Sequence, residues 1–149
     1  MAYIELPVKP EKFGVRDADI SERHRLYGAS CSMVDLDFVV IEYYFSKVVA
    51  LIEYKYHLAE NKHDLSTSNY KALIDLADRA GIPFFVVYYD RKDWSFNVYC
   101  SNQKAKDIYN KDLLKLDELR FVKLLYQLRD LKINQEIEKR LNNSHQVIK

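Results

Sequence analysis

Residues 35–55, DLDFVVIEYYFSKVVALIEYK, decide how the rest of the chain is read. Their first half belongs to MVDLDFVVIEYY, residues 33–44, a run of β-branched and aromatic side chains that predicts a strand. A turn at Ser46–Lys47 leads into a second predicted strand, VVALIEYKYH, over residues 48–57. Asp35 and Asp37 are two positions apart and share one face of the first strand; Glu53 and Lys55 share a face of the second. Charged side chains are almost never fully buried unless they are paired or bind a metal. Carboxylates and a lysine delivered together by adjacent strands therefore predict a divalent-cation site. Mg²⁺ takes one or two protein carboxylates, keeps several waters and accepts phosphate oxygens. Such an ion polarises a phosphodiester and acidifies a water. A neighbouring lysine orients that water or offsets the charge developing at phosphorus.

Downstream, the polar stretch AENKHDLSTS (residues 59–68) predicts a loop, followed by a helix over 68–80. Leu73, Ile74, Leu76, Ala77 and Ala80 follow the helical period there, and Gly81 stops it. IPFFVVYY, residues 82–89, is apolar enough for a strand buried on both faces. Asp90–Asp93 make a turn, and WSFNVYC, residues 94–100, returns as another strand. From Lys104 the pattern predicts helix: Leu113, Leu116, Leu119, Val122, Leu125, Leu128 and Leu131 recur every third residue, with Phe121 and Leu124 beside them. That broad apolar face needs core packing or a dimer partner. Upstream, residues 1–18 read as an extended arm in which Pro7 and Pro10 block a helix. Asp19 or Ser21 is the expected cap of a short helix from Glu22 to Leu26, ended by Gly28.

The stretch quoted first resembles the core of the PD-(D/E)xK nuclease superfamily. In that pattern an acidic residue opens one strand and an acidic-x-Lys triplet lies on the next; here Asp37 precedes Phe38-Val39-Val40, and Glu53-Tyr54-Lys55 follows. The layout around it is similar to archaeal Holliday junction resolvases and to phage or prophage nucleases. No proline precedes either aspartate, since Val34 and Leu36 hold those places. The resemblance implies an α/β fold: a restriction-endonuclease-like core with a central mixed sheet flanked by helices, here over residues 19–101. A helical C-terminal tail (102–149) would complete a single domain of residues 1–149. It also implies DNA as partner and Mg²⁺ or Mn²⁺ as cofactor. Asp37 and Glu53 would be metal ligands, with Asp35 the alternative to Asp37, and the Tyr54 backbone carbonyl a third ligand. Lys55 would position water. Glu22 and Lys71 would be accessory groups, the first as an outer acid and the second as a phosphate contact. A homodimer through the tail would set two active sites against a duplex.

Charge places a limit on this. The 149 residues carry a formal net charge of +1, without the basic excess usual in proteins that hold nucleic acid mainly by phosphate neutralisation. Phosphate contacts must therefore come from local clusters, with Arg23, His24, Arg25 and His57 the leading candidates. Arg91, Lys92 and Trp94 form a basic-aromatic turn whose commoner role is to anchor a hairpin. The same charge balance favours a second class, a catalytically inactive nuclease-like scaffold that binds nucleic acid or a protein. Cys31 and Cys100 lack metal-ligand spacing and are expected as free thiols in a reducing cytoplasm. MAYIELPVKPEKFGV has no apolar run of signal-peptide length, and no stretch approaches the ~18 apolar residues of a membrane span. The expected location is cytoplasmic, with no membrane partner. Twelve Tyr and seven Phe supply material for a packed core.

Overall fold

The computed structural model describes residues 18–147. Two units make up the chain, divided between Val34 and Asp35. In the first, helix α1 runs Ala18–Leu26. Asp19 and Ser21 therefore lie inside the helix, and neither is its cap. Asp19 sits in the first turn and Arg23, His24 and Arg25 in the last, the placement of charge that suits the helix dipole at both ends. Gly28 follows with φ 90°, as a helix-ending glycine should. Apart from Ala18, the expected extended arm lies outside the described residues.

The second unit is an α/β structure built on a five-stranded mixed sheet flanked by helices. Strands β1 (Phe38–Glu42) and β2 (Lys47–Tyr56) form an antiparallel hairpin. A 3₁₀ turn at His57–Lys62 takes the first part of the expected loop, and helix α2 (Ser68–Ala80) then crosses to β3 (Phe84–Asp90), parallel to β2. β4 (Ser95–Cys100) returns antiparallel. Helix α3 (Gln103–Tyr109), strand β5 (Leu113–Leu116), helix α4 (Glu118–Gln127) and helix α5 (Gln135–Val147) complete the unit. The sheet order is β1-β2-β3-β4-β5. Gly81 ends α2 in the left-handed region (φ 69°), its N–H turned back to the last carbonyls of the helix.

β2 and β3 take the middle of the sheet, which is why their sequences are near-continuous apolar runs. On one face Val40, Ala50, Ile52, Phe85, Val87 and Val98 pack with Ala105 of α3 and with Phe121 and Leu124 of α4. On the other, Leu51, Phe84, Val86 and Tyr88 pack with Leu73 and Ala77 of α2.

Two further expectations are corrected. The first strand spans only Phe38–Glu42, not residues 33–44. At its start the Asp37 carboxylate takes the Tyr54 N–H (3.1 Å), substituting a side chain for a further rung of the ladder. At its end the Glu42 carboxylate accepts the Phe45 N–H (2.7 Å) and closes the hairpin tip, where Ser46 has φ 51°. The tail is not wholly helical either: Leu113 and Leu116 belong to β5, paired with Val98 and Phe96. Asn110 in the left-handed region (φ 62°) ends α3, and the Asp117 side chain caps α4 at the Arg120 N–H, so the helix expected from Lys104 onward is broken at both points.

One buried side chain ties three elements together. Asn102, 5% exposed, accepts the Phe84 and Ala105 N–H groups at 2.9 and 3.0 Å. It donates to the Ile82 carbonyl and the Asp78 carboxylate at 2.9 and 3.0 Å. Each buried partner left unsatisfied costs about 1–3 kcal/mol. Asn102→Ala is therefore expected to lower unfolding stability by about 3 kcal/mol, read as a fall in the urea midpoint at unchanged slope.

Candidate metal centre

Alternation along β2 sends Leu51, Glu53 and Lys55 to the α2 side of the sheet, beside Phe84, Val86 and Tyr88 of β3 in register. Glu53 is consequently enclosed, with its side chain 15% exposed, while the Lys55 side chain is 39% exposed. The Lys55 ammonium stands 3.9 Å from Glu53 Oε1, a loose ion pair. Glu53 Oε2 is buried and has no hydrogen-bond partner. Burial pushes the Glu53 carboxyl above the usual range, and the Asp37 charge adds to this; Lys55 and the Asp37 backbone N–H act in the opposite direction.

Asp37 reaches this carboxyl because it lies one position before the Phe38–Ile52 pair, opposite Glu53. The bond from Tyr54 N–H to its Oδ2 holds it there. Leu36 packs into the α2-side cluster and fixes the approach of the segment. Asp35 is exposed and acts on Glu53 more weakly than Asp37 does. Asp37, Glu53 and Lys55 are thus brought together, and of the two aspartates Asp37 has the stronger tie to the pair. The Tyr54 side chain lies on the opposite face, edge-on to Phe38 and Phe121 at 5.1 and 6.2 Å.

A residue not singled out from sequence completes the site. Tyr70, in the first turn of α2, has its ring 5.9 Å from the Lys55 ammonium. Burial raises its hydroxyl to about 12, with smaller contributions from Tyr88, Glu53 and Asp37. Its spacing from Leu73 and Ala77 was the available signal, since i, i+3 and i+7 lie on one helix face. Lys71, one position on, is exposed, and its charge acts on Asp64. His57 stands 3.6 Å from the Asp90 carboxylate and packs edge-on to Tyr56. Glu22, Arg23, His24 and Arg25 belong to the first unit, whereas the site is built within the second. Trp94 stacks on Tyr89 and Phe96, in a hairpin-anchoring position, and Arg91 lies over the Tyr56 ring.

Among the described residues no group of three or more His, Cys, Asp or Glu side chains gathers into a ligand cage. Two carboxylates, one with a buried and partnerless oxygen, nevertheless suit a hydrated hard cation, which needs only one or two from the protein. Compared with known proteins, the chain matches no protein-family model, no curated protein and no solved structure.

The raised pKa of Glu53 makes a stability statement. The folded state holds this proton more tightly than the unfolded state, so the contribution of this group to stability is fully present at low pH. It is lost as pH rises from the ordinary carboxylate range through the folded pKa. Without metal at neutral pH, Glu53→Gln should therefore raise Tm by about 2–4 °C, the shift expected for ~1 kcal/mol in a chain of this size. Differential scanning fluorimetry in EDTA checks this; a lower Tm in the variant would mean that the ionised carboxylate is already satisfied.

Proposed function

We propose that this protein is a divalent-metal-dependent nuclease of the PD-(D/E)xK type, hydrolysing phosphodiester bonds in DNA, and that its second unit is a restriction-endonuclease-like core. The order of parts supports this: an acid at the entrance to β1, a Glu-x-Lys triplet on β2, a helical crossover and a parallel β3. The observation that carries the proposal is the buried, partnerless Oε2 of Glu53 beside Asp37, with Lys55 next to it. An unpaired carboxylate oxygen is costly to bury and is retained where a cation or substrate satisfies it.

On this reading Asp37 and Glu53, with the Tyr54 carbonyl, hold Mg²⁺ or Mn²⁺. When bound, the ion supplies Lewis acidity toward the phosphodiester and toward water. Lys55 directs the attacking water and offsets charge at phosphorus. Tyr70 presents a neutral hydroxyl to the same space. Arg23, His24 and Arg25 remain candidates for phosphate contacts outside the site, while His57 is already engaged by Asp90. A homodimer through the tail has less apolar surface to draw on than the leucine spacing suggests, because Phe121 and Leu124 pack against the sheet. Among the described residues no helix is long and apolar enough to cross a membrane. A cytoplasmic location is part of the same proposal.

Cleavage of supercoiled plasmid and of a synthetic four-way junction, with Mg²⁺ or Mn²⁺, tests the assignment. The wild type should nick in a metal-dependent manner, and folded Glu53→Ala and Lys55→Ala variants should lose about 100-fold or more. Cleavage that survives both substitutions defeats the proposal.

A further inference from the structure

Lys55 carries the positive charge on which the proposed chemistry depends, yet its own strand holds it only loosely. Its side chain is 39% exposed, and its ammonium stands 3.9 Å from Glu53 Oε1, beyond the range of a strong charge-assisted hydrogen bond. A lysine is a compact point charge on a flexible four-carbon stem, with much rotamer freedom to lose before it acts from one position. A displacement of about 1 Å at a reaction centre can cost on the order of 100-fold in rate. Placing this ammonium therefore calls for a second contact.

Tyr70 provides one, from a different element. The Lys55 ammonium lies over its ring, 5.9 Å from the centroid and within the ~6 Å over which the negative face of a ring attracts a cation. The ring is itself held. Tyr70 lies in the first turn of α2 on the face of Leu73 and Ala77, and packs against the buried cluster they form with Leu51, Phe84, Val86 and Tyr88. The Lys71 N–H closes that turn on the Thr67 carbonyl at 3.0 Å. Burial raises the Tyr70 hydroxyl to about 12, so at neutral pH the ring meets the lysine as a neutral π-face and not as a phenolate. β2 thus offers the ammonium a carboxylate oxygen, and α2 offers it a ring.

Resting on the nuclease proposal, we infer that Tyr70 is a positioning residue for Lys55, its ring holding the ammonium beside Glu53 where it directs water and offsets charge at phosphorus. Lys55 remains the catalytic residue, and Tyr70 acts through it. A ring suits this task better than a further carboxylate would. It attracts the ammonium through its face, without a close ion pair that would occupy the three N–H donors. It also adds no negative charge to a place where Asp37 already raises the Glu53 carboxyl. The sequence reading chose Lys71 on this turn, but Lys71 is exposed and its charge acts on Asp64.

Tyr70→Leu keeps apolar bulk against Leu73 and Ala77 but removes the ring, whereas Tyr70→Phe keeps the ring and removes the hydroxyl. Two measurements compare them with the wild type. In protein labelled with ¹³C-lysine, the Lys55 ε-methylene protons are assigned by their loss in Lys55→Gln. Ring current should shift them upfield in the wild type and in Tyr70→Phe, and not in Tyr70→Leu. In single-turnover plasmid cleavage at saturating Mn²⁺, Tyr70→Leu should be about 3–30-fold slower, the rate equivalent of a cation–π contact, and Tyr70→Phe should restore most of the loss. The same Tyr70→Leu change should cost nothing further in a Lys55→Gln background, because the two residues act as one. No upfield shift in the wild type, a Tyr70→Phe variant as slow as Tyr70→Leu, or an undiminished cost in the Lys55→Gln background overturns the positioning role and leaves the nuclease assignment standing. A wild type that does not cleave overturns the nuclease assignment and the positioning role with it, even where the upfield shift is present.

Discussion

The second unit is organised around a carboxylate that its own strand cannot satisfy. Glu53 follows Ala50, Leu51 and Ile52, three fully buried positions in the middle of the sheet, and so is carried inward with them. Its neighbours compensate only in part: a lysine at 3.9 Å is too distant for a strong ion pair, and Asp37 brings a second negative charge to the same place. A sequence selected for stability alone would put an apolar residue at this position, since replacing a buried, imperfectly paired charge is often neutral or stabilising. Retaining Glu53 there has a functional meaning on the proposed reading, because the incoming cation supplies what the protein withholds.

The surrounding fold holds that group still. The parallel β2–β3 pair requires a crossover, and α2 supplies it on the same face as Glu53 and Lys55, which is how Tyr70 comes to stand over the lysine. Asn102 locks the far end of the crossover by bonding the start of β3, the start of α3 and the C-terminal turn of α2 in one step. The two faces of the sheet carry different work. The face under α3 and α4 is an apolar core, whereas the α2 face mixes apolar packing with hydroxyls, an imidazole and carboxylates joined by hydrogen bonds. On the proposed reading, rigid elements below and a polar network above suit a reaction centre that must hold its groups in fixed geometry.

The hairpin, α2, β3 and β4 were legible because their signals are local: alternation, helical periodicity, a stopping glycine and a doubly apolar run. Asp37, Glu53 and Lys55 were legible for a related reason, being charges in stretches otherwise suited to burial. What failed depended on groups distant in sequence. Nothing near residues 33–37 reveals that the Asp37 side chain will take the Tyr54 N–H and end the strand early. Leu113 and Leu116 fit a helical stripe until β4 is known to have an open edge for them to pair with. His63 and Glu60 lay in what read as a polar loop, and only the fold brings them to Tyr88, Tyr99 and Asn97.

The near-zero net charge of the chain is easier to reconcile with a DNA substrate once the local balance is considered. Asp35, Asp37 and Glu53 all act on one point, against Lys55, so three formal negative charges meet one positive. A phosphodiester approaching that point unaided would be repelled, and the more so because Glu53 is partly desolvated. A single divalent cation would, on the proposed reading, cancel the local excess, and its binding would convert the site from repelling phosphate to receiving it. On the proposed reading, the site's affinity for nucleic acid is therefore supplied by the ion, and a basic surface is not required for the chemistry to take place.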